Sequence, residues 1–363
     1  MSGSRALPAS LPAPPGTEHP GDVSNPRAFS GRLLAWYDAN ARDLPWRRDR
    51  DPYRIWLSEI MLQQTRVAAV LEHYVRFLAK FPTVQKLASA RESSVLAAWS
   101  GLGYYRRARM LHAAARAVVR DQAGVFPSTS AGLRRLPGIG RYTAAAIASI
   151  AFEEAIAVVD GNVERVVSRL SGSPLSGERA WKTAEALLDP SRPGDFNQGM
   201  MELGATVCLP RQPRCLLCPV ANFCRTRGEL AVARPAARQK KRTISFGLSR
   251  RENKVLLVQR NAGESLMPGF WELPQVPPPK SQTPAFSLRH SITSTDYVVQ
   301  VYPLQRAGQL PGSWVPVTRL GALPLTGLAR KILRRAAILK EPSPPETAGS
   351  SPAPERACGG PPV

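Results

Sequence analysis

"SAGLRRLPGIGRYTAAAIASIAF" (residues 130–152) decides how the chain is read. Two stretches with apolar residues at helical spacing flank the segment Leu136–Gly140. A proline and two glycines turn the backbone sharply there, so one helix stops and another starts almost at once. Such a turn leaves the first amides of the second helix unpaired, pointing outward at the positive end of its dipole. That is an anion site suited to a nucleic-acid phosphate, and Gly138 and Gly140 permit it. The pattern is a helix–hairpin–helix.

Pro and Gly would also serve a bare turn, and the charge of the chain weighs for the phosphate. Its 363 residues carry 49 Lys and Arg against 27 Asp and Glu, a net charge of +22. An excess of that size points to a polyanionic partner. No apolar run is long enough to span a membrane. The Pro-rich N-terminus lacks the apolar segment of a secretory signal. We expect a monomer without membrane association, in a reducing compartment: cytoplasmic, bacterial-type and nucleoid-associated.

Working outward from the hairpin, helical spacing recurs in "FSGRLLAWYDAN" (29–40) and, as one run, in "YRIWLSEIMLQQTRVAAVLEHYVRFLAKF" (53–81). It recurs again on both sides of a Gly-x-Gly break within 94–121, after Asp160, and from Trp181 to Leu203. Residues 29–226 therefore read as one all-α domain. A basic linker covers 227–242. From 243 to 340 the pattern changes to a smaller α/β domain. "TISFGLSRRENKVLLVQR" (243–260) reads as two strands around a polar turn, "DYVVQVY" (296–302) as another strand, and "LTGLARKILRRAAIL" (325–339) as a closing helix. The segments 1–28 and 341–363 are Pro-rich and read as disordered tails. The fold class is α+β in two domains.

Two carboxylates stand in contrasting surroundings. Glu59 sits among Ile55, Trp56, Leu57, Ile60, Met61 and Leu62, where burial should raise its pKa. Asp160 follows an apolar run and opens a helix, where amide hydrogen bonds and the helix dipole favour its charged form. One carboxyl kept neutral beside one kept charged is the arrangement of an acid and an electrostatic stabiliser. A capping Asp is ordinarily only a cap and a helical Glu ordinarily solvated; it is the pair that points to catalysis. His73 and His112 lie within helical patterns and suit structural roles.

Four of the five cysteines fall in "CLPRQPRCLLCPVANFC" (208–224), spaced C-x6-C-x2-C-x5-C. A reducing compartment disfavours disulfides and points to a metal. Zinc ribbons usually pair two C-x2-C knuckles, whereas here a single one is flanked by lone cysteines, so zinc and iron–sulfur both stay open on spacing alone. Arg211, Arg214 and Arg225 stud the loop, and Cys358 lies apart in the tail.

Together with "LPWR" (44–47), "GLGYYRRAR" (101–109), "VVDGNVERV" (158–166) and "MELGATVC" (201–208), these strings resemble the helix–hairpin–helix DNA glycosylases of the endonuclease III superfamily, and within it the A/G-mismatch adenine glycosylases. The resemblance covers residues 30–226. It implies double-stranded DNA with adenine opposite 8-oxoguanine or guanine as the partner. It implies a [4Fe–4S] cluster on Cys208, Cys215, Cys218 and Cys224. Glu59 would protonate the leaving adenine, Asp160 would stabilise the sugar cation, and Tyr142 and Asn162 would orient them. Gln63 and Tyr104 would wedge into the duplex beside Gln64, and Trp46 and Arg47 would line the base pocket. Strand-cutting relatives carry a lysine two residues after the last hairpin glycine. Tyr142 stands there, and no lysine occurs between Lys86 and Lys182. A monofunctional enzyme is therefore expected.

"MPGFWELP" (267–274) and the strands after it resemble the Nudix-like domain that reads 8-oxoguanine in this family. "QVPPPKSQTPAFSL" stands where a Nudix hydrolase has its Glu-rich metal-binding helix and is too Pro-rich for one, so pyrophosphohydrolase activity is not expected. Ile292, Thr293 and Ser294 align with the family's Phe-Ser-His, keeping the hydroxyl at Thr293 but not the histidine. Three other functions compete: a glycosylase for another mismatched or oxidised base, a non-catalytic helix–hairpin–helix DNA-binding module, and a zinc transcription factor.

Overall fold

The structure, a computed structural model, describes residues 25–230, 240–261, 263–264, 267–279, 282–292, 295–304 and 310–339. Twelve α-helices lie among the described residues: α1 (Pro26–Asn40), α2 (Pro52–Leu62), α3 (Val67–Lys80), α4 (Val84–Ala88), α5 (Glu92–Trp99), α6 (Arg106–Asp121), α7 (Ser130–Leu133), α8 (Arg141–Phe152), α9 (Gly161–Ser171), α10 (Glu178–Leu187), α11 (Pro193–Thr206) and α12 (Gly327–Arg335). Their starts follow local chemistry. Asn25 accepts from the Ala28 amide ahead of Pro26, and Asp51 from the Tyr53 amide ahead of Pro52. The first helix thus begins before the expected boundary at 29.

The run 53–81 is not one helix. It breaks at Gln63–Arg66, where Gln63 leaves the helical conformation with a ψ of 114° and Gln64 adopts a positive φ of 55°. Periodicity continues across the break, which is why the sequence concealed it; the polar Gln-Gln-Thr is the local cause. The stretch 181–203 is likewise two helices, α10 and α11, divided around Pro190.

The described residues pack as two compact units. One is drawn from 25–63 and 113–230, the other from 64–112 and 240–339. In the first, α11 packs on α1, α8 and α9, and α2 packs on α8. Phe29, Leu33, Val166, Val167, Phe196, Met200, Leu203 and Phe223 form one of its cores. Each fully buried large apolar side chain there contributes about 1.5–3 kcal/mol. Gly194 lets α11 meet α8 closely, since a Cβ there would stand 2.7 Å from the Ser149 carbonyl oxygen.

The second unit joins α3 and α5 to the C-terminal strands β1 (Lys240–Leu248), β2 (Arg250–Arg251), β3 (Lys254–Gln259), β4 (Trp271–Glu272), β5 (Phe286–Ile292), β6 (Thr295–Pro303) and β7 (Ser313–Pro316). The expected hairpin over 243–260 is only partly present. β2 and β3 pair antiparallel, but β1 starts inside the expected linker and pairs in parallel with β6. One sheet has the order β1-β6-β5, and in the other β3 pairs with β2, β4 and β7. Val255, Leu257, Val299, Val301, Ile332 and Leu333 close the core under α12. The described residues of 275–285 contain no helix. Thr293 and Ser294 lie outside the described residues, as do the two tails beyond 25 and 339 and the middle of the expected linker. No helix of the described residues is long and apolar enough to cross a membrane.

Candidate active site

The hairpin forms as the sequence indicates. Thr129 caps the short α7 by accepting from the Gly132 amide, and Glu154 holds Ser130 through both its amide and its hydroxyl. Gly138 takes a φ of 73°, a conformation costly for residues with a side chain. Ile139 and Leu136 bury beneath the turn. Gly140 is the N-cap of α8, with no side-chain cap, and a Cβ there would meet nothing within 4 Å. The backbone at this helix start is thus open to approach by an anion.

Glu59 lies in α2, a helix buried on nearly every side, and is 6% exposed. The Tyr142 hydroxyl, near the start of α8, donates to its Oε2 at 2.7 Å and also touches Met201 Sδ at 3.4 Å. Burial pushes Glu59 up from 4.5 to about 7; the Tyr142 hydrogen bond and Arg47 pull it down, and the Asp160 carboxylate pushes it further up. Tyr142 is itself pushed well above 10 by burial and by Glu59 and Asp160, so its phenol stays a donor. One oxygen of Glu59 is fixed by that phenol, and the other is left to carry a proton.

Asp160 is the N-cap of α9. Its Oδ1 accepts from the amides of Asn162 at 2.8 Å and Val163 at 2.7 Å, and its Oδ2 from Asn162 Nδ2 at 2.9 Å. Asn162 Oδ1 in turn accepts from Arg165 Nη2 at 2.8 Å, and Arg165 also donates to the Gly204 carbonyl at 2.7 Å. The carboxylate is therefore held rigidly by backbone, side chain and helix start, while its field reaches Glu59.

Sequence reasoning missed Glu202 and its partner Arg42. Glu202, on α11, is 1% exposed and accepts from Arg42 at 2.5 and 2.8 Å and from Arg47 at 2.8 Å. Burial pushes its carboxyl up, but the two guanidiniums outweigh that and hold it below the usual range. Arg47 also lies 5.5 Å from the Tyr37 ring. The signal was available: Glu202 is a carboxylate on an apolar helix face, as Glu59 is. Trp46 is buried next to Arg47.

Gln63 Nε2 donates to Thr143 Oγ1 at 3.2 Å, fastening the end of α2 to α8. Gln64 and Tyr104 belong to the other unit and share two traits: each is exposed, and each has a positive φ, 55° and 47°. Arg107 lies behind both, donating from Nη2 to Thr65 Oγ1 at 3.1 Å and to the Leu102 and Gly103 carbonyls at 3.3 and 3.4 Å. Its guanidinium also lies 5.4 Å from the Tyr104 ring. Strained non-glycine residues kept at the surface are common at binding sites.

The four cysteines follow α11 in a loop pinned to the first core. Cys208, Cys218 and Cys224 pack against it, and Arg169 reaches Cys208 Sγ at 3.2 Å. Burial pushes Cys218 up to about 11, with the other three sulfurs adding to the rise. Cys218 thus lies within electrostatic reach of the other three sulfurs. Among the described residues, no three Cys, His, Asp or Glu side chains are close enough to hold one metal ion. Four thiols in one loop are a donor set that a tetrahedral zinc or an iron–sulfur cluster takes.

Residues 57–192 match the model of the HhH-GPD superfamily of base excision DNA repair proteins. An adenine DNA glycosylase of Homo sapiens is 52% identical over 221 residues, which cover 57% of this chain and 40% of that protein. One of Buchnera aphidicola subsp. Acyrthosiphon pisum is 38% identical over 205 residues, 54% of this chain and 58% of the relative. The chain thus spans about half the length of the curated relatives it matches. A solved structure, that of a thermostable thymine-DNA glycosylase, is 31% identical with a TM-score of 0.53, covering 57% of this chain and 99% of the other.

Proposed function

The chain belongs to the HhH-GPD superfamily of base excision DNA repair proteins, and from that premise we propose that it is a monofunctional DNA N-glycosylase removing adenine opposite 8-oxoguanine or guanine in duplex DNA. The observation that carries this reading is Glu59: a buried carboxyl pushed to about 7, with one oxygen fixed by Tyr142 and the fixed Asp160 carboxylate within electrostatic reach. An acid that holds its proton near neutrality can protonate a departing purine, and a positioned general acid is worth roughly 10²–10⁴ in rate. Asp160, held by two amides and Asn162, would stabilise the cationic sugar left behind until water completes the hydrolysis. The flipped base must first leave the stack, at a cost of roughly a few kcal/mol, which Gln63, Gln64 and Tyr104 would help to meet. Trp46, and Arg47 held by Glu202, would line the base pocket. Tyr142 gives no amine for a Schiff base, so the strand would stay intact.

Cys208, Cys215, Cys218 and Cys224 would hold a [4Fe–4S] cluster. When bound, it would close and stiffen a loop that carries Arg211, Arg214 and Arg225 against the DNA backbone. Residues 243–340 would form a Nudix-like domain that reads the opposite base through Thr293. The reading further places the protein in the cytoplasm, on the nucleoid, as a monomer. A second reading, excision of thymine, is favoured only by the likeness to the thymine-DNA glycosylase. Single-turnover assays on duplexes with A opposite 8-oxoguanine, A opposite G and T opposite G decide between them. Adenine release without strand scission from the first two supports the proposal, and thymine release alone overturns it.

A further inference from the structure

Tyr104 is 53% exposed and left-handed, whereas its neighbour Tyr105 is 6% exposed. A side chain in that backbone region is strained and persists only where the surroundings over-determine it. Within this unit, much of what fixes the loop comes from sequence far away. The Tyr105 ring lies on Phe270 of the "MPGFWELP" segment, with centroids 4.2 Å apart and planes at 50°. Phe270 is 0% exposed. Ser100, at the start of the loop, donates from Oγ to the Leu325 carbonyl at 2.8 Å and accepts from Arg330 Nε at 3.1 Å. Arg109, just past the loop in α6, donates to the Pro268 carbonyl at 2.7 Å. The loop is thus tied before, beside and after Tyr104 to the strand segment and α12. On its own side, Trp99 Nε1 donates to the Gly103 carbonyl at 3.2 Å.

We infer that Phe270, with the Ser100–Leu325–Arg330 hydrogen bonds, positions Tyr104: the C-terminal part of the chain aims the side chain that enters the duplex, besides any contact with the opposite base. The inference rests on the reading of Tyr104 as a wedge. A ring seated at 4.2 Å leaves Tyr105 little freedom, and Tyr105 is the residue to which Tyr104 is bonded. An aromatic-to-aliphatic change at Phe270 keeps the site apolar but loosens that seat. Tyr104 is then freed to leave the strained conformation.

The test is a double-mutant cycle in the full chain. The variants are Tyr104→Ala, Phe270→Leu, Ser100→Ala and the two combinations with Tyr104→Ala. Two quantities are read: the single-turnover excision rate, and the fluorescence of 2-aminopurine placed beside the target adenine, which rises as the base step unstacks. Phe270→Leu and Ser100→Ala should each lower both by about 3- to 10-fold, while changing neither in the Tyr104→Ala background. Multiplicative losses in the combinations would overturn the positioning inference and leave the wedge standing. A Tyr104→Ala protein with wild-type rate and fluorescence would overturn the wedge reading itself. Ser100→Ala removes only a hydroxyl, so it keeps the cycle decisive if Phe270→Leu does not fold.

Discussion

At the scale of the residue, Glu59 ties function to stability in opposite senses. Its folded pKa of about 7 lies above its ordinary 4.5. Folding therefore favours the protonated form; stability from this group is complete below about pH 4.5 and is lost as pH rises through 7. The buried charge costs about 3 kcal/mol above pH 7. Glu59→Gln keeps an acceptor for Tyr142 but has no charge to bury. It should melt several degrees above wild type at pH 8, with the difference fading near pH 4, while excision is abolished and DNA affinity stays within about twofold. Calorimetry at the two pH values and a single-turnover assay check this. An equal melting temperature at pH 8 would show that Glu59 is not a buried acid.

At the scale of the element, the site depends on how closely α9 and α11 approach. A Cβ on Gly204 would stand 2.6 Å from Asn162 Cβ. Gly204→Ala must therefore push Asn162 away from Asp160. We expect a loss of about 1–3 kcal/mol in thermal or urea unfolding and a lowered excision rate, because the carboxylate loses a hydrogen bond. In the cysteine loop, Cys215→Ser should bleach the visible iron–sulfur absorbance and weaken DNA binding. Stoichiometric zinc in anaerobically purified wild type would contradict the cluster. Much of this was legible in the sequence because it is local: a Pro/Gly hairpin, an Asp at a helix start, a Glu among apolar neighbours. What was not legible depends on long-range packing. The break at Gln64 hides inside an unbroken apolar period, the parallel pairing of β1 with β6 joins segments more than fifty residues apart, and Glu202 gains meaning only when Arg42 and Arg47 fold against it.

For the whole molecule, the net charge of +22 supplies attraction to any duplex, so discrimination has to come from contacts to the bases and not from the phosphate attraction that salt screens. Thr293 is the residue proposed for the opposite base. Thr293→Val should narrow the preference for 8-oxoguanine over guanine by roughly 1–2 kcal/mol, read as the ratio of single-turnover rates on the two duplexes. An unchanged ratio would remove Thr293 from lesion reading. Deleting everything past Arg234 is a poorer experiment, because it would also strip Phe270 and Leu325 from beneath the loop of Tyr104. Arg107 adds a consequence for motion. Burial lowers its pKa to about 10, and one guanidinium nitrogen serves both the Thr65 hydroxyl and the carbonyls before Tyr104. The same guanidinium thus holds both loops, so a displacement of either is passed to the other. Relaxation dispersion on Gln64 and Tyr104 would then return a single exchange rate, and the duplex would be sampled by one lever with two tips.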